Sequence, residues 1–134
     1  MNFWKYRLPV IVWLAIHFTL SSIPGTKLPR TGEYDLTYLA HVMVFTLLAF
    51  LLLRDFNRRQ NGNPPFRRIL LVFVLAIAWG FSDEYHQEYF VPHRGWDNLD
   101  LVMDAIGTCL GIASYLLVRG WISKKQQSIF AKWI

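Results

Sequence analysis

The sequence predicts an all-α fold: a polytopic membrane protein built as a four-helix transmembrane bundle with both termini cytoplasmic. Three observations predict it. The chain is 54% hydrophobic and 16% aromatic, with mean hydropathy +0.26, too apolar for an ordinary soluble domain of 134 residues. Its apolar residues gather into four segments. The basic residues behind the net charge of +5 stand in short runs between those segments, as they do in polytopic membrane proteins. That placement argues against nucleic acid as a partner and for membrane lipids. The length suits one domain over residues 1–134.

Segment one runs from about Leu8 to Ile23 and is stopped by Pro24-Gly25. Lys5 and Arg7 ahead of it resemble the start of a secretory signal. No small-x-small cleavage site follows, and His17 interrupts the run, so a retained first helix is expected. Segment two, about Leu36 to Leu53, ends at Arg54 and Asp55, and the turn Asn61-Gly62-Asn63-Pro64-Pro65 separates it from segment three. Segments three and four are expected over residues 69–90 and 98–118. Their uncharged stretches, Ile69 to Ser82 and Ala105 to Val118, fall short of the roughly 20 residues needed to cross ~30 Å of hydrocarbon. Each helix must therefore carry acidic residues into the bilayer.

Orientation follows from the loops. Lys5 and Arg7 precede segment one, Arg54, Arg58, Arg59, Arg67 and Arg68 fill the second loop, and Arg119, Lys124, Lys125 and Lys132 follow segment four. The other two loops mix Lys27 and Arg30 with Glu33 and Asp35, and Arg94 with carboxylates. The bias places both termini in the cytoplasm and the protein in the inner (cytoplasmic) membrane as a multi-pass chain. With a rise of about 1.5 Å per residue, Asp83 lies about 21 Å from Ile69, Asp104 about 21 Å from Val118, His41 about 18 Å from Leu53, and Ser21 about 20 Å from Leu8. Four segments thus place polar groups in one layer near the outer face. Ionisable groups are expensive there and are kept where they line a polar cavity, pair, or do chemistry.

The chemistry-bearing residues concentrate in segments three and four. Asp83, Glu84 and Gln87 share a helix face at spacings of three and four. Pro92 ends that helix, and His93-Arg94-Gly95 makes the turn. Asp97, Asp100, Asp104, Gly107 and Gly111 then form a stripe down segment four. Its G-x-x-x-G notch is a close-packing device that turns the stripe toward a neighbouring helix. Asp97 is placed to cap segment four, with Asp100 as its box partner. Arg94 is the expected internal partner of the carboxylates and an anchor for a phosphate or carboxylate. His41 suits a general base, a hydrogen-bond donor or a metal ligand. His17 reads as a satisfied core histidine, His86 and His93 as interfacial groups, and the lone Cys109 as a small core hydrophobe.

Taken in order, these motifs resemble the VanZ-like family. They are Ser21-Ser22-x-Pro24-Gly25, His41 followed by Phe45, Asp83-Glu84-x-x-Gln87, Phe90-Val91-Pro92-x-Arg94, and Asp97-x-x-Asp100 leading to Gly107-x-x-x-Gly111. The resemblance covers nearly the whole chain, and the D-E-x-x-Q…V-P-x-R…D…G block carries most of it. It implies a four-helix integral membrane protein of the cell envelope, linked through the founding member to low-level resistance to the lipoglycopeptide teicoplanin. The family often has Asp-Lys before the helix-two histidine, where Thr37-Tyr38 stand here. His93 takes a place usually given to Gly, and Asp104 one usually given to Asn.

Three classes of function fit this pattern. An envelope enzyme would act on an amphiphilic or lipid-linked ligand, with Glu84 or Asp83 as general acid or base and His41 as a second proton carrier. Arg94, Gln87, Asp100, Asp104, Ser21 and Ser22 would bind the substrate. A binding or immunity factor would use the same pocket without turnover. A transporter-like protein would pass protons or ions along the carboxylates, while a purely structural role would leave them as a buried network that fixes the bundle. His41 with Asp83, Glu84 and Asp100 makes a nitrogen and oxygen donor set suited to Zn or Mn. No H-E-x-x-H or cysteine pairing accompanies it, so neither a metal nor another cofactor is expected.

Overall fold

The computed structural model describes residues 3–27, 36–60 and 62–130, with side chains described as far as residue 122. Arg30, Glu33, Asp35, Asn61 and Lys132 lie outside the described residues, as do the side chains of Lys124 and Lys125. The described residues are all-helical: α1 (Leu8–Ser21), α2 (Leu36–Phe56), α3 (Phe66–Phe90) and α4 (Asn98–Phe130), with no strand among them. A π-helical turn (Phe3–Arg7) leads into α1, and a 3₁₀ turn (Gly25–Lys27) follows it.

The helix ends depart from expectation in ways that local chemistry explains. α1 stops at Ser21 rather than Ile23, because Pro24 disfavours helical backbone at the residue before it. α2 continues past its charged pair to Phe56. Arg54 donates to the Lys5 carbonyl (2.9 Å) and lies 5.2 Å from the Tyr6 ring, while Asp55 accepts from Arg58. α3 begins at Phe66, immediately after Pro65, whose extended backbone (φ −65°, ψ 150°) sets the N-cap. α4 runs to Phe130, beyond the expected Val118, since Arg, Lys and Gln sustain a helix as well as apolar residues do.

α2 packs most extensively along α4, and α3 lies against both. The contact of α2 with α4 depends on two glycines. A Cβ on Gly107 would sit 2.4 Å from the Val42 carbonyl oxygen, and one on Gly111 would sit 2.2 Å from that of Thr46. The notch thus lets α4 lie on the α2 backbone. Below it, Ala49, Leu53, Val72 and Tyr115 form one apolar cluster. Phe45, Leu48 and Ala76 form a second, closer to the polar layer. At the C-terminal end of α2, buried Asn57 donates to the Gly62 carbonyl (2.9 Å) and the Tyr115 hydroxyl (3.2 Å). Its side-chain oxygen accepts from Arg68 (2.8 Å), which ties the turn before α3 to α4.

Cys109 is exposed, not in the core. The inward face of α4 is carried by Asp100, Asp104, Gly107, Gly111 and Tyr115, and a residue two beyond Gly107 is rotated about 200° away from it.

At the opposite end, His93 adopts φ 60°, in the left-handed region that favours Gly. The turn is fastened there by the Gly25 amide, which donates to the Pro92 carbonyl (3.1 Å). The His93 side chain is exposed. His93→Gly is therefore expected to raise stability by roughly 1 kcal/mol, the left-handed penalty removed less the added unfolded-state entropy. A thermal unfolding scan in detergent reads this as a higher midpoint.

Candidate functional site

Three helices and the end of α1 converge on one polar layer. Asp83 on α3 accepts from the Ser21 hydroxyl (2.5 Å) and from the Gln87 amide (2.7 Å). The same Gln87 nitrogen approaches Ser21 Oγ at 3.1 Å. Gln87 Oε1 accepts from Arg94 Nε (2.9 Å) and again from its Nη2. The expected partners of Arg94 are the carboxylates. Instead its guanidinium holds the Gln87 amide, which in turn presents its NH₂ to Asp83. An amide can accept on one side and donate on the other, so it relays the cation to the acid.

His41 on α2 bridges to α4. Its Nδ1 lies 2.8 Å from Asp104 Oδ1, and its Nε2 lies 3.4 Å from Asp100 Oδ2. Asp104 reaches this position because α3 has Gly80 opposite it: a Cβ there would lie 2.5 Å from Asp104 Oδ2. Gly80 is a site residue that the sequence reading passed over. Its signal was a glycine inside an apolar helical run, three residues before Asp83.

Glu84 faces the start of α4. Its Oε2 accepts from the Asp97 amide (2.7 Å), while Asp97 Oδ1 caps the Leu99 amide (2.8 Å). Asp97 is thus the expected N-cap, but its reciprocal partner is Glu84 from another helix, not Asp100. Asp100 is drawn inward to His41 and cannot also reach back to the cap. Tyr38 completes the arrangement by donating to Asp97 Oδ2 (3.0 Å).

His17 belongs to the site more closely than its sequence neighbours suggested. Its Nδ1 accepts from the Trp79 indole (2.8 Å), and its Nε2 lies 3.6 Å from Asp83 Oδ2. It is a satisfied buried histidine that borders the cluster. Ser22, expected at the binding site, points elsewhere. Its hydroxyl donates to the Phe18 carbonyl (2.7 Å) and lies 3.1 Å from His86 Nε2. Consecutive residues at a helix end are rotated by about 100°, so only one of the serine pair can face Asp83.

A cavity of about 260 Å³ opens beside this network, lined by Leu20, Ile23, Leu36 and Val44 on its apolar side and by Asp83, Gln87 and Arg94 among its polar groups. His17, Ser21 and His41 also border it. Glu84, Asp100 and Asp104 do not line it, and they are 0%, 5% and 1% exposed. The expected site residues therefore divide into a cavity wall and a buried tier behind it.

α2 and the Asn98–Ile122 part of α4 are each long and apolar enough to cross a membrane, and only 28% of each apolar window is buried. Core helices of a soluble protein would bury far more. Fold and site together describe an all-helical protein with two candidate membrane-spanning helices and a histidine–carboxylate cluster. The VanZ/LLP1 family model matches residues 3–119, and the chain belongs to that family. Comparison with curated proteins and with solved structures found no match.

Proposed function

We propose that the chain crosses the cytoplasmic membrane four times, with both termini inside, and that its cavity opens toward the outer leaflet to take an amphiphilic or lipid-linked envelope ligand. α3, with 25 residues, is about 37 Å long and suffices to span despite its carboxylates. α1 and the turn before it, residues 3–21, reach about 28 Å. The observation that carries the ligand reading is the two-sided cavity, apolar at Leu20, Ile23, Leu36 and Val44 and polar at Asp83, Gln87 and Arg94. An acyl or other apolar group fits the first side and an anionic or hydrogen-bonding head the second. Arg94 offers charge-assisted donors to such a head.

Within this reading the protein contributes to low-level resistance against lipoglycopeptides of the teicoplanin type, by binding or modifying that ligand. Asp83 and His41 reach the cavity and are the groups placed for proton transfer. Ser21 and Gln87 hold Asp83, and Asp104 and Asp100 flank His41 from behind.

The test is teicoplanin susceptibility of a sensitive host that expresses wild type, Asp83→Asn, Glu84→Gln or Asp100→Asn at matched membrane levels. Wild type is expected to protect, and all three variants are expected to lose the whole protection. A binder without turnover would keep partial protection in Asp83→Asn, because the amide preserves shape. No protection by wild type would sink the resistance reading.

A further inference from the structure

We propose that the cavity wall and the buried tier together form, where they meet, a binding site for one divalent first-row metal ion, Mn²⁺ or Zn²⁺, held by His41, Asp83 and Glu84 with Asp100 beside them. His41, Asp83 and Glu84 each offer one ligand atom, and these atoms all lie within 4.8 Å of one another. Metal–ligand bonds of about 2.0–2.2 Å put neighbouring ligand atoms roughly 3.3–3.6 Å apart in a tetrahedral site. His41 Nε2 and Asp100 Oδ2, at 3.4 Å, already stand at that separation. Binding would require the other ligand atoms, now within 4.8 Å of one another, to draw in by side-chain rotation.

Three further observations point to an ion rather than to a self-contained network. First, among the described residues Glu84 Oε1 and Asp100 Oδ1 are buried without a hydrogen-bond partner; Glu84 is fully enclosed, and its other oxygen is held by the Asp97 amide. A buried carboxylate oxygen left unpaired is costly, and a cation satisfies it. Second, His41 Nδ1 lies against Asp104 Oδ1 at 2.8 Å. With Asp104 ionised, Nδ1 carries the proton and Nε2 presents its lone pair to the cluster, which is the carboxylate–histidine–metal arrangement. Ser21 and Gln87 orient Asp83 in the same way. Third, four carboxylates (Asp83, Glu84, Asp100, Asp104) are buried together, and Arg94, a cation that borders the cavity, directs two of its donors to Gln87. A divalent ion offsets that excess of negative charge. One imidazole among carboxylate oxygens favours Mn²⁺ or Zn²⁺ over softer ions such as Cu⁺.

The same four residues stand out in the sequence as a candidate donor set, but no metal is expected from them there, because donors drawn from three helices leave no local spacing motif. His41 and Asp83 also border the cavity, so a bound ion would share these two residues with the proposed ligand site, whatever that ligand is.

The test takes the purified chain in lipid nanodiscs, strips it with EDTA, returns Mn²⁺ or Zn²⁺, and measures metal retained after gel filtration by elemental mass spectrometry. One retained ion per chain is expected, and pulsed EPR of the Mn²⁺ form is expected to show nitrogen coupling from one histidine. Glu84→Gln and His41→Gln should lose the ion, and Asp104→Asn, acting through His41, should weaken binding about 10–100-fold. Ser22→Ala should retain it in full. No retained ion, retention without nitrogen coupling, or equal retention in every variant overturns the proposal. Because the EPR signature is read on wild type, variants that fail to fold leave the decision intact. An ion retained without antibiotic protection sinks the resistance reading alone, and protection without an ion sinks the metal site alone.

Discussion

Gly107→Val is expected to cost more than about 3 kcal/mol, beyond the usual range for overpacking, and to abolish the folded state in a thermal scan of the detergent-solubilised protein. The added Cβ would stand 2.4 Å from the Val42 carbonyl oxygen, 3.0 Å from its Cα and 3.1 Å from Phe45 Cβ. Two of these neighbours are backbone atoms of a regular helix, so no rotamer change relieves the clash. Either α4 lifts off α2 or α2 bends. Both movements would separate His41 from Asp104, whose 2.8 Å contact lies within one turn of the notch. Gly120 provides the internal control, since a Cβ there meets nothing within 4 Å. Gly120→Ala is expected to stabilise by up to about 1 kcal/mol through helix propensity. If Gly107→Val melts as wild type does, the close approach of α2 and α4 is wrong.

His41→Leu is expected to destabilise by about 1–3 kcal/mol, the cost of leaving the buried Asp104 carboxylate without its hydrogen-bond partner. The ring sits between Asp104 (2.8 Å) and Asp100 (3.4 Å) and stacks near-parallel on Phe45, with centroids 6.5 Å apart. Leucine fills much of the same volume, so most of the loss comes from the Asp104 carboxylate left without its partner. The double variant His41→Leu/Asp104→Leu should therefore recover part of the loss, because one stranded carboxylate goes with it. Chemical denaturation of the two singles and the double would measure this coupling. Strictly additive losses would mean that the contact carries no energy.

The polar layer was legible because rise per residue is a property of the helix alone. Counting from the ends of the apolar runs put Ser21, His41, Asp83 and Asp104 at one depth, and in the structure these residues lie in one connected network. The Gly107/Gly111 notch was legible for a related reason: small residues four apart mark one face whatever lies opposite. Partner identity was not legible. Arg94 was expected on a carboxylate and holds Gln87. Glu84, not Asp100, closes the cap at Asp97. His17, which has no partner nearby in sequence, meets Trp79 and Asp83 across the bundle.

Hydropathy, charge runs and capping residues act along the chain, and they sufficed for the helical class, the four helical segments and the level at which their polar side chains meet. Rotation of each helix about its axis depends on what it packs against. Only the tertiary structure decided that, through backbone approach at Gly107 and Gly111 and the space left by Gly80. Those contacts decided which carboxylates face the cavity and which stand behind it. A turn of 100° per residue leaves depth almost unchanged and exchanges every partner.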